Sequence, residues 1–430
     1  MEALVEEYKK DKRTPCRFGV KCYQKNPVHH QKYKHPPKPG AERKTENPAK
    51  KVKLSHDSDN ENHGSPPKET NGRKHSQSPE ESPIKDSPEK PSQSTSKAAL
   101  SDTSSDSDSE PETQDETLLS DKEFIKLKFL VDMPDDFYSF WSFCESINKN
   151  EPQDALKMFD LVLVGPYDVL SGALRKCPNL KPADYLVHWR YFYDPPEFQT
   201  VLKGDDKKQY HLGYMRDDPK SLPGFVASNE ASENCVIKPV AENIFGAVNQ
   251  YFEKIKAVGT PFAKMRVPSI QKSLADWAKE HDFTLDAKTP KMMERNKNVV
   301  TQTFHRAGIV VPYNKKTELG YRQLQLSDSD LKTAMKMIVN ATSDIERTGR
   351  FEKLQTVLTW ASIALDECDF GTGLELALDL FCYGSELFHK HCLHMFTSSY
   401  TLLGRHEFIK IIQAHLKNRK HTARLSVIKQ

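Results

Sequence analysis

Apolar positions between residues 120 and 240 fall into two patterns. The segment around 120–145 spaces them as helices do, and Pro134 stands where the second of two helices would begin. Short runs follow that are rich in β-branched and aromatic side chains and are interrupted by Pro, Gly and Asp, such as "QYHLGYMRD" and "PGFVASN". Such runs are typical of strands in a small antiparallel sheet. The pattern therefore predicts an α+β domain over residues 120–240.

Beyond residue 240 the apolar positions recur at helical spacing. "ENIFGAVNQYFEKIKAV" and "SIQKSLADWAKEHDF" each place their large apolar residues on one face, and "SDSD" at 327–330 is a typical helix start. The region 241–418 is therefore predicted to be mainly helical, and residues 419–430 form a tail. We expect the α+β domain to pack on this helical C-terminal domain.

Residues 38–119 show neither pattern. From residue 36 to 119 the chain contains no Phe, Tyr or Trp, and Ser, Pro, Lys, Glu and Asp dominate. Such a segment buries too little apolar surface to offset the entropy lost on ordering, so it is predicted to be a disordered linker.

Two charged stretches of the linker are candidate signals. "PAKKVKL" at 48–54 resembles a nuclear import signal, although short basic runs also occur by chance. The acidic serine run at 101–116 holds seven acids and no Lys or Arg. It is a candidate for phosphorylation or for contact with basic chromatin proteins, and a solvated spacer is the alternative.

Composition narrows the class of protein. The formal net charge is only +3, and no apolar run approaches the roughly 18 residues that could span a bilayer. We expect a soluble intracellular protein without a membrane partner. Six of the eight cysteines share no spacing and are predicted to be buried thiols, because a reducing compartment disfavours a disulfide framework.

The other two cysteines belong to a candidate zinc site at residues 10–37. Cys16, Cys22, His29 and His35 form a C-x5-C-x6-H-x5-H pattern, whose thiolates and imidazoles suit one tetrahedral structural zinc ion. His30 is a spare candidate for the third position. The spacer between Cys22 and His29 is too short for a recognition helix, so sequence-specific DNA binding is not expected.

With "CRFG", "CY", "KNP" and "HP", this pattern resembles the poly(ADP-ribose)-binding zinc finger. The resemblance implies that aromatic side chains stack on adenine and that nearby cations contact phosphates. The matching aromatic positions and nearby cations are Phe18, Tyr23, Arg13, Arg17 and Lys25. Packing of the two aromatics over the zinc site is the alternative. Gln24 departs from the arginine that family members often carry, so affinity is expected to be lower or shared with Lys25.

The candidate chemistry of the body lies in "ALDECDFGTG", where Asp366, Glu367 and Asp369 surround a helix junction. Considered alone, these acids could simply cap helices, since Asp and Gly commonly mark helix ends. The chain carries no P-loop, G-x-S-x-G, HExxH or Rossmann glycine motif. An enzyme that acts alone is therefore not indicated.

Longer strings in the body resemble the histone PARylation factor family. They are "PDDFYSFWSFCE", "HWRYFYDPPEFQTVL", "HLGYMRDDP", "TFHRAGIVVP", "LGYR" and "DECDFGTGLELALDLFCYGS", and the resemblance covers essentially all of 120–418. It implies an accessory factor that docks on the catalytic domain of a DNA-damage-activated poly(ADP-ribose) polymerase. That polymerase binds NAD, and the complex modifies serine in histones, which implies a nuclear protein at damaged chromatin.

The resemblance also implies roles for individual residues. Glu367 matches the general base, Asp366 contacts the polymerase, and Arg322 supports the acid and the interface. Tyr321, beside Arg322 in "LGYR", is also assigned to partner binding. Asp369 receives no firm role. Such a base makes chemical sense because a serine hydroxyl is a weak nucleophile until its proton is removed, whereas a carboxylate acceptor is already ionised.

Two other functions stay open at this point. One is a non-catalytic poly(ADP-ribose) reader, and the other is an autonomous ADP-ribosyl hydrolase or transferase that uses the acids. His305 is predicted to be a structural hydrogen-bonding group. The histidines near Cys392 resemble a metal cluster but are predicted to have surface or packing roles; they are His389, His391 and His394.

Overall fold

A computed structural model describes residues 8–16, 27–37, 118–177 and 179–428. The linker up to residue 117, the basic stretch at 48–54 and the acidic serine run at 101–116 lie outside these described residues, so the predictions made for them stay predictions. Within the described part of the chain, no helix combines the length and apolar character needed to cross a membrane.

The described part of the N-terminal segment runs in the order strand, helix, strand. Strand β1 (Thr14–Pro15) pairs in parallel with β2 (Tyr33–Lys34), and helix α1 (Pro27–Lys32) leads directly into β2. The backbone N–H of Cys16 donates to the carbonyl of Lys34 at 2.9 Å, which continues the pairing beyond the two strands. This pairing holds the start of the segment beside its end.

The body begins with two helices, α2 (Asp121–Phe129) and α3 (Asp135–Ile147). Ser120 and Glu123 form a capping box at the start of α2, in which each side chain accepts from the other residue's backbone N–H at 3.3 and 2.9 Å. Helix α3 begins directly after Pro134, which confirms the predicted start.

An antiparallel sheet follows, with strand order β3-β4-β5-β6-β7. The strands are β3 (Val162–Leu163), β4 (Phe198–Lys203), β5 (Tyr210–Met215), β6 (Phe225–Glu230) and β7 (Lys238–Ala241). Short helices α4 (Tyr167–Leu170) and α5 (Pro182–Val187) lie between the first two strands. The predicted small antiparallel sheet is confirmed.

Helices dominate the rest of the chain, as predicted. They are α6 (Ile244–Val258), α7 (Pro261–Glu280), α8 (Pro290–Lys297), α9 (Asp328–Val339), α10 (Asp344–Asp366), α11 (Phe370–Tyr383), α12 (His389–Leu403) and α13 (His406–Asn418). A two-stranded antiparallel pair, β8 (Val299–Thr301) and β9 (Ile309–Val310), lies between α8 and α9. The Ser327 hydroxyl accepts from the backbone N–H of Asp330, which confirms the predicted cap of α9.

Two large apolar cores fill the body. The first joins α2, α3 and the sheet to the buried faces of α6 and α7 through residues such as Phe137, Phe245 and Leu274. The second joins β9 to α9–α13. Helices α6 and α7 therefore pack with the first core, although the sequence grouped them with the second segment. The domain boundary at 240 itself stays a prediction.

Asp379 on α11 is a buried carboxyl that ties a loop to the second core. Its Oδ1 accepts from the backbone N–H of Phe304 at 2.8 Å, and burial raises the pKa of its carboxyl well above the usual value. The folded state therefore holds the Asp379 proton more tightly than the unfolded state. This contribution to stability is present below the ordinary aspartate pKa and is lost as pH rises through the raised value.

We expect Asp379→Asn to flatten this loss of stability with pH, because the amide keeps an acceptor for Phe304 and cannot ionise. The free energy of unfolding, measured by urea denaturation from about pH 5 to about pH 8, should fall by ~1 kcal/mol less in the variant than in wild type. Asp276→Asn, at an exposed position of α7, is the control. Parallel profiles for Asp379→Asn and wild type would contradict the assignment.

Candidate functional site

The junction between α10 and α11 is a tight turn that fixes the direction of Glu367. Helix α10 ends at Asp366, and Cys368 adopts a left-handed backbone with φ of 71°. The N–H of Asp369 donates to the carbonyl of Ala364 at 2.8 Å, and that of Cys368 donates to Leu365 at 3.1 Å. This is a Schellman motif in which cysteine occupies the position that usually holds glycine. A side chain there costs roughly 1–2 kcal/mol.

The positions of the acids at this junction are unusual for helix caps. Asp366 and Glu367 lie at the C-terminal end of α10, where the helix dipole disfavours a carboxylate by about 0.3–1 kcal/mol. Asp369 precedes α11, but its side chain makes no hydrogen bond to the N–H groups of the first turn. A side-chain cap of α11 therefore does not explain Asp369, and Asp366 and Glu367 occupy the helix end that disfavours negative charge.

Arg322 connects two of these acids. Its Nε donates to Asp369 Oδ2 at 2.5 Å, and its guanidinium also donates to Glu367 Oε2. The ring of Trp360 lies 5.4 Å from the guanidinium carbon. Burial lowers the pKa of Arg322, but the hydrogen bonds to Glu367 and Asp369 outweigh this effect and raise it. The arginine therefore stays charged and holds both carboxylates in place.

The three acids differ in exposure, and this difference separates their possible roles. The Asp369 side chain is 6% exposed, and its Oδ1 also accepts from the backbone N–H of Gly320 at 2.8 Å. The Glu367 side chain is 31% exposed, and Asp366 is exposed. Asp369 thus fastens the loop that carries Arg322, while Glu367 and Asp366 face outward. No sequence pattern indicated this role of Asp369.

The loop that carries Arg322 is itself held at several points. Gly320 has a φ of 114°, and a Cβ at this position would collide with the carbonyl oxygen of Pro312. The backbone N–H of Arg322 donates to Thr372 Oγ1 at 3.0 Å, and the same hydroxyl donates to the Arg322 carbonyl at 2.7 Å. The "LGYR" motif therefore supplies both the bend and the docking contacts that the guanidinium needs.

The hydroxyl end of the Tyr321 side chain is directed into the fold. Its hydroxyl donates to Glu375 Oε2 at 3.2 Å, and Thr301 donates to the other oxygen of Glu375 at 2.7 Å. Burial raises the pKa of Tyr321 and also that of Glu375. The hydroxyl is thus engaged within this chain, and the predicted partner contact of Tyr321 would use the rest of its half-exposed ring.

An open cavity of about 620 Å³ lies against Glu367. Its lining combines the two clamped acids and Arg322 with a hairpin whose ends meet at Asn314 and Leu319. The lining residues that the sequence did not single out are Tyr313, Thr317, Glu318, Leu319 and Gln323. Their one sequence signal is proximity to "LGYR". The cavity is large enough for a few side chains of a peptide, and it carries a third carboxylate at Glu318.

The histidines singled out in the sequence lie apart from this chemistry. His305 is fully buried, its Nδ1 accepts from the backbone N–H of Ala307 at 3.0 Å, and burial lowers its pKa to about 3. The predicted structural role of His305 agrees with a neutral imidazole. Among the described residues, a cluster with metal-ligand spacing does not include His389, His391, His394 or Cys392.

The finger brings together three of its four predicted ligands. Cys16 Sγ and one ring nitrogen each of His29 and His35 lie within 4.8 Å of one another, and Cys16 and His29 are buried. One sulfur and two imidazole nitrogens suit zinc, and the cluster includes His29 but not His30. The fourth predicted ligand, Cys22, lies outside the described residues. The side chains present therefore fit a structural zinc ion.

Most predicted ADP-ribose contacts lie outside the described residues, namely Arg17, Phe18, Tyr23 and Lys25, as does Gln24. Arg13 is described. Its guanidinium pairs with Asp11 at 2.5 Å and also donates to the carbonyl of His30. The hydrogen bond from Arg13 lowers the pKa of Asp11 to about 2. A phosphate that approached Arg13 would compete with this carboxylate.

Comparisons with known proteins match two regions of the chain, the body and the finger. Residues 120–419 match the family model for histone PARylation factor 1, and residues 13–38 match that for the PBZ domain. The chain is 43% identical over 297 residues to histone PARylation factor 1 of Bos taurus, covering 69% of this chain and 86% of the relative. Identity to the Mus musculus protein is 44% over 293 residues, covering 68% and 84%. Identity to the Danio rerio protein is 43% over 300 residues, which covers 69% of this chain and 85% of the relative.

The two family models therefore cover the finger and the body separately, and the curated relatives match over about 69% of this chain. The chain belongs to the histone PARylation factor 1 family and carries a PBZ domain in front of the family region. Both resemblances expected from the sequence are confirmed.

We expect the full-length protein to bind about one equivalent of zinc and Cys16→Ala to lose it, because the variant removes the buried thiolate from a four-ligand site. Zinc released from purified protein would be measured by mass spectrometry after dialysis. Cys177→Ala, which changes a half-buried cysteine in the body, should keep its zinc. Equal zinc content in the two variants would remove Cys16 from the ligand set.

Proposed function

We propose that this protein is an accessory factor for ADP-ribosylation that completes the active site of a poly(ADP-ribose) polymerase and directs modification to serine. The observation that carries the proposal is Glu367, a carboxylate held by Arg322 at the mouth of an open cavity, at a helix end that electrostatics disfavours. Membership of the histone PARylation factor 1 family supports the pathway. A DNA-damage-activated polymerase is the proposed partner, and histones are proposed substrates at nuclear chromatin.

Glu367 would act as the general base. Arg322 bonds its Oε2, and within the described residues no hydrogen bond occupies Oε1, which leaves that oxygen for a serine hydroxyl. The serine oxygen forms a bond to ribose C1′ of NAD, held by the polymerase, as the bond from that carbon to nicotinamide breaks. The hydroxyl proton passes to Glu367 and later to water. A positioned base of this kind typically contributes about 10²–10⁴-fold.

Asp366 would contact the polymerase. It is the exposed acid beside Glu367, on the turn whose backbone is fixed by the Schellman bonds. A charge on a rigid turn can pair with a cation of the partner without losing chain entropy on binding. Asp366 and Glu367 would thus divide two tasks, recognition of the polymerase and proton removal from the acceptor.

The cavity suits a basic acceptor peptide. Glu318, Glu367 and Asp369 line it, and only Arg322 among the lining side chains is cationic. A surplus of carboxylates attracts lysine- and arginine-rich segments and raises their local concentration. Histone tails have this chemistry, and the relatives are named histone PARylation factor 1, which supports the same substrate class.

The chain is proposed to be no enzyme on its own, because NAD binding and the rest of the catalytic machinery would come from the polymerase. The match of residues 13–38 to the PBZ domain favours a second activity, binding of poly(ADP-ribose) by the finger. A pure reader would use that activity alone and would not need Glu367.

The first test replaces the base while keeping its shape. Glu367→Gln retains an acceptor for Arg322, so we expect it to bind the activated polymerase but to lower transfer to a serine-containing histone peptide by about 10²–10⁴-fold. Transfer from NAD would be followed by mass spectrometry, with a Ser→Ala peptide as the acceptor control. Hydroxylamine, which cleaves carboxylate esters of ADP-ribose, would separate serine from Asp and Glu products.

Glu352→Gln, at an exposed position on the same helix α10, is the matched control and should behave as wild type. If Glu367→Gln supports serine transfer at the wild-type rate while bound to the polymerase, the carboxylate is not the base. The reader function, carried by the finger, would then explain the protein better.

A second test separates recognition from catalysis. We expect Asp366→Asn to weaken binding to the polymerase by about tenfold, as loss of an interfacial charge contact does, and to restore serine transfer at saturating concentration. Titration of the variant against a fixed amount of polymerase would measure both quantities. A lower maximal rate with unchanged affinity would instead place Asp366 in the chemical step.

A further inference from the structure

The end of the hairpin formed by α6 and α7 is strongly basic. Residues 254–272, here called the basic tip, contain five cations and no acid. These cations are Lys254, Lys256, Lys264, Arg266 and Lys272. All but the half-buried Lys264 are exposed, so the tip presents a concentrated positive charge on a protein whose net charge is only +3.

The basic tip also exposes large apolar side chains. Val258 is 86% exposed, Phe262 is 56% exposed and Met265 is 69% exposed. The guanidinium carbon of Arg266 lies 5.4 Å from the centroid of the Phe262 ring, which places a cation beside an exposed aromatic. Exposed aromatic and basic side chains in one patch are the two components of a surface that binds unpaired nucleotides.

The exposed side chains of the tip do not supply the buried contacts of α6 and α7. The opposite faces of α6 and α7 supply the buried contacts, among them Phe252, Val267 and Leu274 in the first core. Within the described residues, the acid that pairs with the tip is Glu253 at its margin, which bonds Lys256 at 2.9 Å and Gln271 at 2.7 Å. Among the described residues, the other four cations of the tip form no ion pair with an acid. Lys254 lies over the Tyr210 ring, and Lys264 donates to the carbonyl of Ala257.

We propose that the basic tip binds poly(ADP-ribose) independently of the zinc finger. The inference rests on the proposed function, in which the complex produces this polymer. Lysine and arginine side chains would contact its pyrophosphates, and Phe262 would stack on an adenine base. Poly(ADP-ribose) offers both groups together, since its phosphates alternate with adenines that need not be paired.

Duplex DNA fits the basic tip less well. Its bases are already stacked and paired, so an exposed ring gains no base to stack on, and only the cations would find partners. Val258 and Met265 would then face phosphates. The exposed apolar side chains therefore favour the polymer with accessible bases.

The test measures binding of preformed poly(ADP-ribose) and of a duplex DNA to the full-length protein by fluorescence anisotropy. The triple variant Lys264→Glu, Arg266→Glu, Lys272→Glu should lose about tenfold or more in affinity for poly(ADP-ribose) and show a weaker dependence on salt. Phe262→Ala should lose at least about fivefold for the polymer and leave duplex binding unchanged. Both losses should persist in a Cys16→Ala background.

The matched control reverses three exposed lysines outside the tip, Lys207→Glu, Lys208→Glu and Lys220→Glu, which changes the net charge equally. It should bind poly(ADP-ribose) as wild type does. Equal losses in both triple variants, or losses that duplex DNA shares in the Phe262→Ala protein, would overturn the proposal. The assay uses no polymerase and no NAD, so its failure leaves the role of Glu367 untouched.

Discussion

The buried carboxylate of Asp369 is the constraint on which the candidate site depends. It accepts from the backbone of Gly320 and from Arg322, and so joins the hairpin loop to the junction between α10 and α11. Arg322 in turn holds Glu367, the outer member of the pair. A buried acid with a bonded arginine is stable only while both partners stay together, since separating them would leave a charge without compensation. Buried Asp369 therefore positions the half-exposed Glu367 through Arg322.

This arrangement explains why a carboxylate can stand where the helix dipole disfavours it. The C-terminal end of α10 carries partial negative charge from its last carbonyls, and the guanidinium of Arg322 compensates for it at Glu367. Trp360 lies beside the same guanidinium and limits its movement. The unfavourable interaction of Glu367 with the helix dipole is thus offset by its ion pair with Arg322.

Much of the fold could be predicted from the sequence because apolar spacing reports which face of an element is buried. Apolar spacing, together with Pro134, the "SDSD" start and the β-branched runs, predicted the helix after Pro134, the cap at Ser327 and the small sheet. The same spacing does not say which core a helix joins, and the packing of α6 and α7 with the first core became visible only in the structure. Glu367 came from a family resemblance, whereas the role of Asp369 depends on contacts between residues 47 to 49 positions apart, which no local pattern encodes.

Cys368 occupies the left-handed position of the turn between α10 and α11. Its positive φ is a conformation that glycine would adopt without strain, whereas a residue with a Cβ prefers negative φ. The turn therefore holds Cys368 against its own conformational preference. The backbone hydrogen bonds from Cys368 to Leu365 and from Asp369 to Ala364 hold this conformation. The direction of Glu367 therefore depends on these two bonds, and a change that broke them would let the backbone of Cys368 relax and redirect the carboxylate.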